Sequence, residues 1–435
     1  MTLVEELKWR GLIKDISSPE LEEKLNKGEL TFYIGTDPTA DSLHVGHLSS
    51  FLISKRLKEA GHHPILLVGG GTGMIGDPRP TTERAMISKE QVRHNFECLK
   101  EQVEKIFGFE VVNNNDWYED INVIDFLRDY GKYFNVNYKD IIRRRLESGI
   151  TYTEFSYMIL QALDFKHLHE FNGVDLQCAG SDQWGNITAG IDLIRKSTGD
   201  EVYGFTMPLV TDSQGKKFGK SEGNALWLDK NKTSSYKLYQ FFVNVEDSMV
   251  IDYLKIYTFL SKEEIEEYAK KNVEHPELRE AHKALAREII TFLHGKEEYE
   301  RAEKLAQSLF NNEFKNLTKQ DISDLFDEQD IKDVESNISL VDMLVKVGAA
   351  SSKREAREFT QSGAVSINGE KITDVATMIN DNMFIDNTYI IIKRGKKKYI
   401  RSVRKMSEGP KENPKLKMDK NITYQKVRKS SLLIF

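Results

Sequence analysis

The sequence predicts an α/β protein in which a parallel-sheet domain comes first, an α-helical segment second and a small α+β module third. Three observations carry this. Residues 31–230 alternate short apolar runs with helical patterns, the rhythm of a parallel βαβα sheet. From about 231 to 315 the strand signals fade and amphipathic helical stretches take over. Residues 338–402 then combine a capped helix with a two-strand pattern. The boundaries that follow are 1–230, 231–315, an acidic and weakly patterned linker at 316–337, and 338–402. A basic tail containing Pro and Gly, at 403–435, is predicted to be disordered.

Taken in order, "TFYIG" reads as the first strand. The stretch "LHVGHLSSFLISKRLKEAG" puts Val45, Leu48, Leu52 and Leu57 near helical spacing and stops at Gly61. "PILLV" is a second strand. Ser88-x-x-Gln91 resembles a capping box opening a helix to about Gly108, and "FEVV" is the next strand. "MPLVTDSQGKKFGKSEG" reads as a strand followed by a mobile loop. "SSYKLYQFFVN", "SKEEIEEYAKK" and "PELREAHKALAREIITFLHGKEEYERAEKLAQSLF" read as helices. Ser352-x-x-Glu355 is expected to cap a helix carrying Lys353, Arg354 and Arg357, and "AVSINGEKI" a hairpin turning at Asn368-Gly369.

Composition narrows the function classes. A chain of 435 residues has room for two or three domains. Cys98 and Cys178, far apart and alone, exclude a disulfide scaffold and a Cys-rich zinc site, and suit a reducing cytoplasm. The start "MTLVEELKWRGLIKD" has neither the apolar region of a secretory signal nor the acid-poor character of a transit peptide. No apolar run approaches the roughly 20 residues needed to cross a bilayer, so no membrane partner is expected. The net charge of −6 does not exclude nucleic acid, because binding depends on where the basic residues cluster.

Residues 66–78, "LLVGGGTGMIGDP", contain the spelling G-x-G-x-x-G between Gly71 and Gly76. A dinucleotide site needs a helix directly after the glycines and an acidic residue about 20 positions on. Here Asp77-Pro78-Arg79-Pro80 follows, and each proline biases the residue before it away from the α region. The acid is missing, and no Gly-Lys-Ser/Thr makes a P-loop. A dehydrogenase is therefore the weakest reading. A tight turn that lets a ligand approach the backbone fits better.

His44-Val45-Gly46-His47 stands where the first helix opens. A helix N-terminus offers free N–H groups and a positive dipole to phosphates. Gly46 leaves room for a flat ring or a phosphate, and the two histidines can reach one anion. A His-x-x-His metal site lacks a third ligand nearby. Lys217-Phe218-Gly219-Lys220-Ser221 places two lysines and a hydroxyl on a loop able to neutralise charge on a departing pyrophosphate. Alone, these stretches also fit an ordinary amphipathic helix and a solvated basic turn. Tyr157, Gln161 and Asp164, at i, i+4 and i+7, share one helix face whose polar groups a ligand could satisfy.

Together the two signatures resemble those of the class I aminoacyl-tRNA synthetases. "TEFSYMILQALDF" at 153–165 and "GSDQWGNITAG" at 180–190 resemble the tyrosyl-tRNA synthetases in particular, and the likeness runs to about Tyr399. The resemblance implies a Rossmann-like catalytic domain, a helical domain for the anticodon stem and an S-four-like RNA-binding domain. It implies tyrosine activation by ATP, with Mg²⁺ bound to ATP rather than to a protein site, and transfer to tRNA by a homodimer. Tyr33 and Asp164 would bind the phenolic hydroxyl, Tyr157, Gln161 and Asp77 the α-ammonium side, and Gln183 the substrate carboxylate. Binding phenylalanine would leave buried polar groups unpaired, an asymmetry for which tyrosine synthetases are the standard example. His44, His47, Lys217, Lys220 and Ser221 would carry the catalytic contacts to phosphate. Gly35, Asp37, Thr39, Gly46, Gly180, Asp182 and Lys220 would line the ATP site. Lys353, Arg354, Arg357, Lys396 and Lys397 would meet tRNA phosphates, with Lys393 and Arg394 in the same basic strip.

The sequence also departs from that family. Ile34 stands where relatives often carry a cysteine near the ribose, and Val45 replaces a common isoleucine. The Asp77–Arg84 loop is one residue shorter, so Arg79 and Arg84 receive no role. The Arg143–Arg145 triple fits an acceptor-arm contact and an exposed helix face equally. A tryptophan-specific relative shares both nucleotide signatures, but the Tyr33/Asp164 pair and the C-terminal module argue against it. A non-catalytic RNA-binding scaffold predicts decay of the histidine or lysine signature, and both are intact.

Overall fold

The structure, a computed structural model, describes residues 1–76, 87–134, 151–221, 224–326, 332–395 and 398–404. The chain forms two compact units, Met1–Phe310 and Asn311–Phe435.

The first unit is built on six strands: β1 (Asp15–Ile16), β2 (Thr31–Thr36), β3 (His63–Val68), β4 (Glu110–Asn113), β5 (Leu176–Gly180) and β6 (Tyr203–Met207). Their spatial order is β1-β6-β5-β2-β3-β4. All neighbours are parallel except the short edge strand β1, which runs antiparallel to β6. β2, β3 and β5 are apolar runs buried along most of their length, as strands covered on both faces must be. From β2 the chain winds out through β3 to β4, and from β5 it winds the other way to β6. The carboxyl ends of β2 and β5 therefore part from each other, the place where an open α/β sheet leaves a crevice. The strand expected in "MPLV" lies earlier, at β6, because Pro208 has no N–H to continue the ladder.

Helices α1 (Leu3–Trp9), α2 (Glu20–Lys27), α3 (Val45–Glu59), α4 (Lys89–Ile106), α5 (Asn115–Tyr118), α6 (Tyr152–Asn172) and α7 (Trp184–Ser197) belong to this sheet domain. Ser88 caps α4 by accepting from the Gln91 amide. Residues 231–310 fold as α8 (Ser235–Val243), α9 (Val250–Tyr257), α10 (Lys262–Glu274), α11 (Glu280–His294) and, ending one residue later, α12 (Lys296–Asn311). This helical layer is tied to the sheet domain by a buried ionic knot. The Glu6 Oε1 carboxylate accepts from Arg10 Nε at 2.7 Å and from Arg56 Nη1 at 2.9 Å. The same guanidinium groups donate to the carbonyls of Lys255, in the last turn of α9, and of Thr258 and Leu260 just after it.

In the second unit, residues 316–337 are not the linker the sequence suggested. They hold α13 (Lys319–Leu325) and β9 (Lys332–Val334), and β9 pairs in parallel with a later strand. Only Val334 of β9 is buried, too weak an apolar signal to read before its partner is known. The remaining elements are β10 (Ile338–Ser339), α14 (Leu340–Lys346), α15 (Lys353–Gln361), β11 (Val365–Ile367), β12 (Glu370–Ile372), β13 (Met378–Ile379), β14 (Tyr389–Arg394) and β15 (Lys398–Arg404). The five-stranded sheet is ordered β12-β11-β14-β15-β9. The β11–β12 hairpin turns at Asn368 and Gly369, both at positive φ, as expected.

Glu6→Ala would leave two buried guanidinium groups without their countercharge. A loss of roughly 3 kcal/mol in unfolding free energy is expected, read as a lower denaturant midpoint of the first unit's transition.

Candidate active site

A cavity of about 720 Å³ opens at the parting of β2 and β5. The end of β2 contributes Tyr33, Gly35, Asp37 and Thr39, and the first turn of α3 contributes His44, Gly46 and His47. One face of α6 contributes Tyr157, Gln161 and Asp164. Beyond β5 come Gly180, Asp182 and Gln183, and Lys217 closes the mouth. Sequence reasoning thus named residues from five segments that the fold brings to one crevice. Asp77, Arg79, Arg84 and Arg143–Arg145 lie outside the described residues. For Lys220 and Ser221 the structure describes the backbone, a short strand β7 (Lys220–Ser221) paired with β8 (Asn224–Ala225).

The bottom of the crevice is polar and buried. Asp164, 1% exposed, accepts from Asn114 Nδ2 at 3.0 Å, Trp117 Nε1 at 3.0 Å and the Tyr118 hydroxyl at 2.5 Å. Burial nonetheless pushes its carboxyl up to about 7, against the pull of those donors. Tyr33 is 1% exposed, and its hydroxyl has no hydrogen-bond partner among the described residues. The same holds for Oε1 of Gln177, directly across the β2–β5 ladder from Tyr33. Burial first, then the nearby Asp164 carboxyl, raises the Tyr33 phenol well above its ordinary value, so it is a neutral donor. Two unpaired polar atoms in one buried place, each costing about 1–3 kcal/mol, are what a hydrogen-bonding ligand group would satisfy.

Higher in the crevice, Asp37 links the two sides. Its Oδ2 accepts from the Tyr157 hydroxyl at 3.1 Å and its Oδ1 from Thr72 Oγ1 at 3.1 Å. Thr72 belongs to the glycine run, which turns tightly after β3, with Gly69 and Thr72 lining the cavity.

At the start of α3, His44 Nδ1 accepts from the Gly46 amide at 3.0 Å, and His47 Nδ1 accepts from the His44 amide at 3.3 Å. The rings stack with centroids 3.9 Å apart. With each Nδ1 used as an acceptor, a neutral ring carries its proton on Nε2. Burial, with His44 adding to it, lowers the His47 pKa to about 3, so that ring is neutral at physiological pH. A side chain on Gly46 would sit 2.8 Å from the His44 ring.

Asn114, Trp117, Tyr118, Thr72 and Gln177 escaped the sequence reading. Gln177 left a signal, a polar residue inside the apolar strand "LQCAG". Asn114, Trp117 and Tyr118 follow β4 directly, at the carboxyl end of a parallel strand, where ligand-facing residues gather.

In the second unit, α15 presents Lys353, Arg354 and Arg357 on its exposed face, above buried Ala356 and Thr360. Lys353 pairs with Asp342 at 2.6 Å and Arg354 with Glu358 at 3.0 Å. Lys396 and Lys397 lie outside the described residues. Lys393 and Arg394, read as surface strip, are turned into the fold. Lys393 donates to Asn312 Oδ1 at 2.6 Å, while Arg394 donates to the Ala349 carbonyl at 3.0 Å and lies over the Phe359 ring. Long stems that can cover apolar surface while their heads find acceptors explain the difference.

Comparison with known proteins gives a consistent picture. The family model "tRNA synthetases class I (W and Y)" matches residues 25–311, and "Tyrosine--tRNA ligase SYY-like C-terminal domain" matches 321–401. The chain is 48% identical over 418 residues to tyrosine–tRNA ligase of Listeria welshimeri, covering 92% of this chain and 99% of that one. It is 48% identical over 410 residues to tyrosine–tRNA ligase of Staphylococcus carnosus, covering 91% and 98%. Among solved structures, the C-terminally truncated mitochondrial tyrosyl-tRNA synthetase of Aspergillus nidulans superposes with a TM-score of 0.64 at 31% identity, covering 71% of this chain and 94% of that one.

The raised Asp164 pKa has a signed consequence for stability. Between its ordinary value of 3.8 and about 7, the native carboxyl holds a proton that the unfolded chain has released. Its contribution is therefore fully present below pH 3.8 and is lost as pH rises through 7. In ligand-free protein, the melting temperature of wild type is expected to fall relative to Asp164→Asn over that window and to run parallel to it above.

Proposed function

The chain belongs to the class I tRNA synthetases (W and Y), in the tyrosine–tRNA ligase branch, and on that footing we propose how its crevice performs the family's reaction. It activates L-tyrosine with ATP to tyrosyl-adenylate and pyrophosphate, then transfers tyrosine to tRNA. The observation that carries the tyrosine reading is the buried Tyr33 hydroxyl, without a partner, beside the buried Asp164 carboxyl. The substrate phenol would donate to Asp164 and accept from Tyr33. An indole offers an N–H but no oxygen to accept from Tyr33, so tryptophan fits less well.

In this reading Tyr157, Gln161 and Asp77 receive the α-ammonium group, and Gln183 and Asp182 the carboxylate and ribose. ATP lies across the start of α3. His44 and His47 offer Nε2–H donors to its phosphates, next to the positive end of the helix. The tyrosine carboxylate attacks the α-phosphorus in line, and the bond to the leaving pyrophosphate breaks. No protein nucleophile is needed, so catalysis is positioning and charge stabilisation. Lys217, Lys220 and Ser221 neutralise the pyrophosphate. Imidazoles and lysines are not donors for Mg²⁺, which would arrive held by ATP phosphate oxygens. The terminal ribose hydroxyl of tRNA then attacks the adenylate carbonyl and AMP leaves.

The finer partners belong to the same reading. A homodimer is supported by the exposed apolar run Val123, Ile124 and Leu127. Among the described residues no helix is long and apolar enough to cross a membrane. Cys98 and Cys178 are free thiols, in keeping with a cytoplasmic site of translation. The exposed cations of α15 would meet tRNA phosphates.

The test is ATP–pyrophosphate exchange without tRNA, with tyrosine, phenylalanine and tryptophan in parallel. Exchange with tyrosine alone is expected, and folded wild type that exchanges with none would sink the enzyme reading. Tyr33→Phe removes one donor to the substrate hydroxyl. It should narrow the preference for tyrosine over phenylalanine by about tenfold in kcat/KM. For the second unit, Lys353→Gln, Arg354→Gln and Arg357→Gln together should flatten the plot of log tRNA affinity against log salt. The slope is expected to change by about 0.7–0.9 for each phosphate that is no longer neutralised.

A further inference from the structure

Tyr253, on α9 in the helical layer, reaches across to the lysine loop. That loop rises as a hairpin over residues 210–218. The Phe218 amide donates to the Val210 carbonyl, Thr211 bridges Lys217, and the Asp212 amide donates to the Lys216 carbonyl. Tyr253 is 2% exposed and touches both arms. Its ring lies 4.2 Å from the Phe218 ring, centroid to centroid, on the second arm. Its hydroxyl donates to the Thr211 carbonyl at 3.0 Å on the first. Phe241 supports Phe218 from the side, 5.0 Å away, and Ser213 at the tip bonds Glu246 at 2.6 Å.

The far side of the hairpin meets the start of α3. Gly219 has φ +91°, and a side chain there would stand 2.7 Å from the Gly46 amide nitrogen. The backbone after Phe218 is thus packed directly on the turn that carries the histidines. Lys217, one residue earlier, stands with its Nζ 3.9 Å from Asp182 at the crevice mouth. Lys217 is 69% exposed and makes little packing of its own, so its place follows from the residues on either side.

We propose that Tyr253 is a positioning residue for the activation step, holding both arms of the 210–218 hairpin so that Lys217 faces the nucleotide phosphates. The inference rests on the reading given under Proposed function. It adds to that reading a residue of the helical layer that touches neither substrate. Displacing a charge by about 1 Å can lower a rate by about 10²-fold, whereas losing one hydrogen bond between neutral groups corresponds to about 3- to 10-fold.

The experiment compares wild type, Tyr253→Phe, Tyr253→Leu and Tyr239→Leu in tyrosine-dependent ATP–pyrophosphate exchange, with tyrosine affinity and melting temperature measured separately. Tyr239 is a control, 5% exposed on α8 and packed on Tyr299, with no ring contact to Phe218. Tyr253→Phe keeps the ring and is expected to raise the KM for ATP or lower kcat by about 3- to 10-fold. Tyr253→Leu should lose up to about 10²-fold. Tyrosine affinity should be unchanged in both. Tyr239→Leu should lower the melting temperature and leave the ATP dependence alone. The inference is overturned if both Tyr253 variants exchange like wild type, or if tyrosine and ATP affinities fall together as in general loosening. If Tyr253→Leu does not fold, Tyr253→Phe decides alone. Wild type without exchange would overturn the parent reading and this inference with it; active wild type with indifferent variants overturns the inference alone.

Discussion

Burying Tyr33 and Asp164 at the foot of one crevice is the constraint on which the rest depends. A carboxyl 1% exposed must find donors, and it finds them in Asn114, Trp117 and Tyr118. Those donors come from the segment after β4, and the carboxyl itself from α6, so the arrangement holds two distant parts of the chain together. Among the described residues, Tyr33 and Gln177 keep buried polar atoms unpaired. A site with polar atoms left over discriminates by hydrogen bonding, because a ligand lacking the matching group leaves them unsatisfied.

Above that floor the sheet topology does the placing. β2 and β5 are neighbours whose connections leave in opposite directions, and the residues just after each strand, Asp37 and Asp182, face each other across the gap. The start of α3 enters the gap, with the His44 and Gly46 amides turned toward its own histidine rings. Its two histidines fold back onto those amides through Nδ1, which leaves the Nε2 side of each neutral ring to carry the proton. Gly46 is what permits this folding back, since any side chain would strike the His44 ring.

The helical layer is bound to the sheet domain twice. One tie is the Glu6–Arg10–Arg56 knot on the carbonyls after α9, and the other is the aromatic group of Phe218, Phe241 and Tyr253. The first fixes the layer, and the second reaches the lysine loop. A rigid link of this kind lets a side chain in one layer govern the position of a charge in another.

Residues of the crevice that share one element were legible because their spacing is local. His44, Gly46 and His47 lie within one helical turn, and Tyr157, Gln161 and Asp164 share a face at spacings the helix dictates. The floor of the crevice was legible only in part. Asn114, Trp117 and Tyr118 matter through partners 42–50 positions away in the chain, Asp164 and its neighbours, and no periodicity reports such pairs. The same blindness read Lys393 and Arg394 as surface and 316–337 as linker, where β15, Asn312 and Phe359 supply partners for them. By itself the sequence determined the alternation of strands and helices in the sheet domain and the side chains that each helix turn offers, since backbone propensity and spacing are short-range. Which polar atoms are paired, which stay unpaired, and what holds the lysine loop were decided by the tertiary structure alone, because those depend on which distant segments exclude water together.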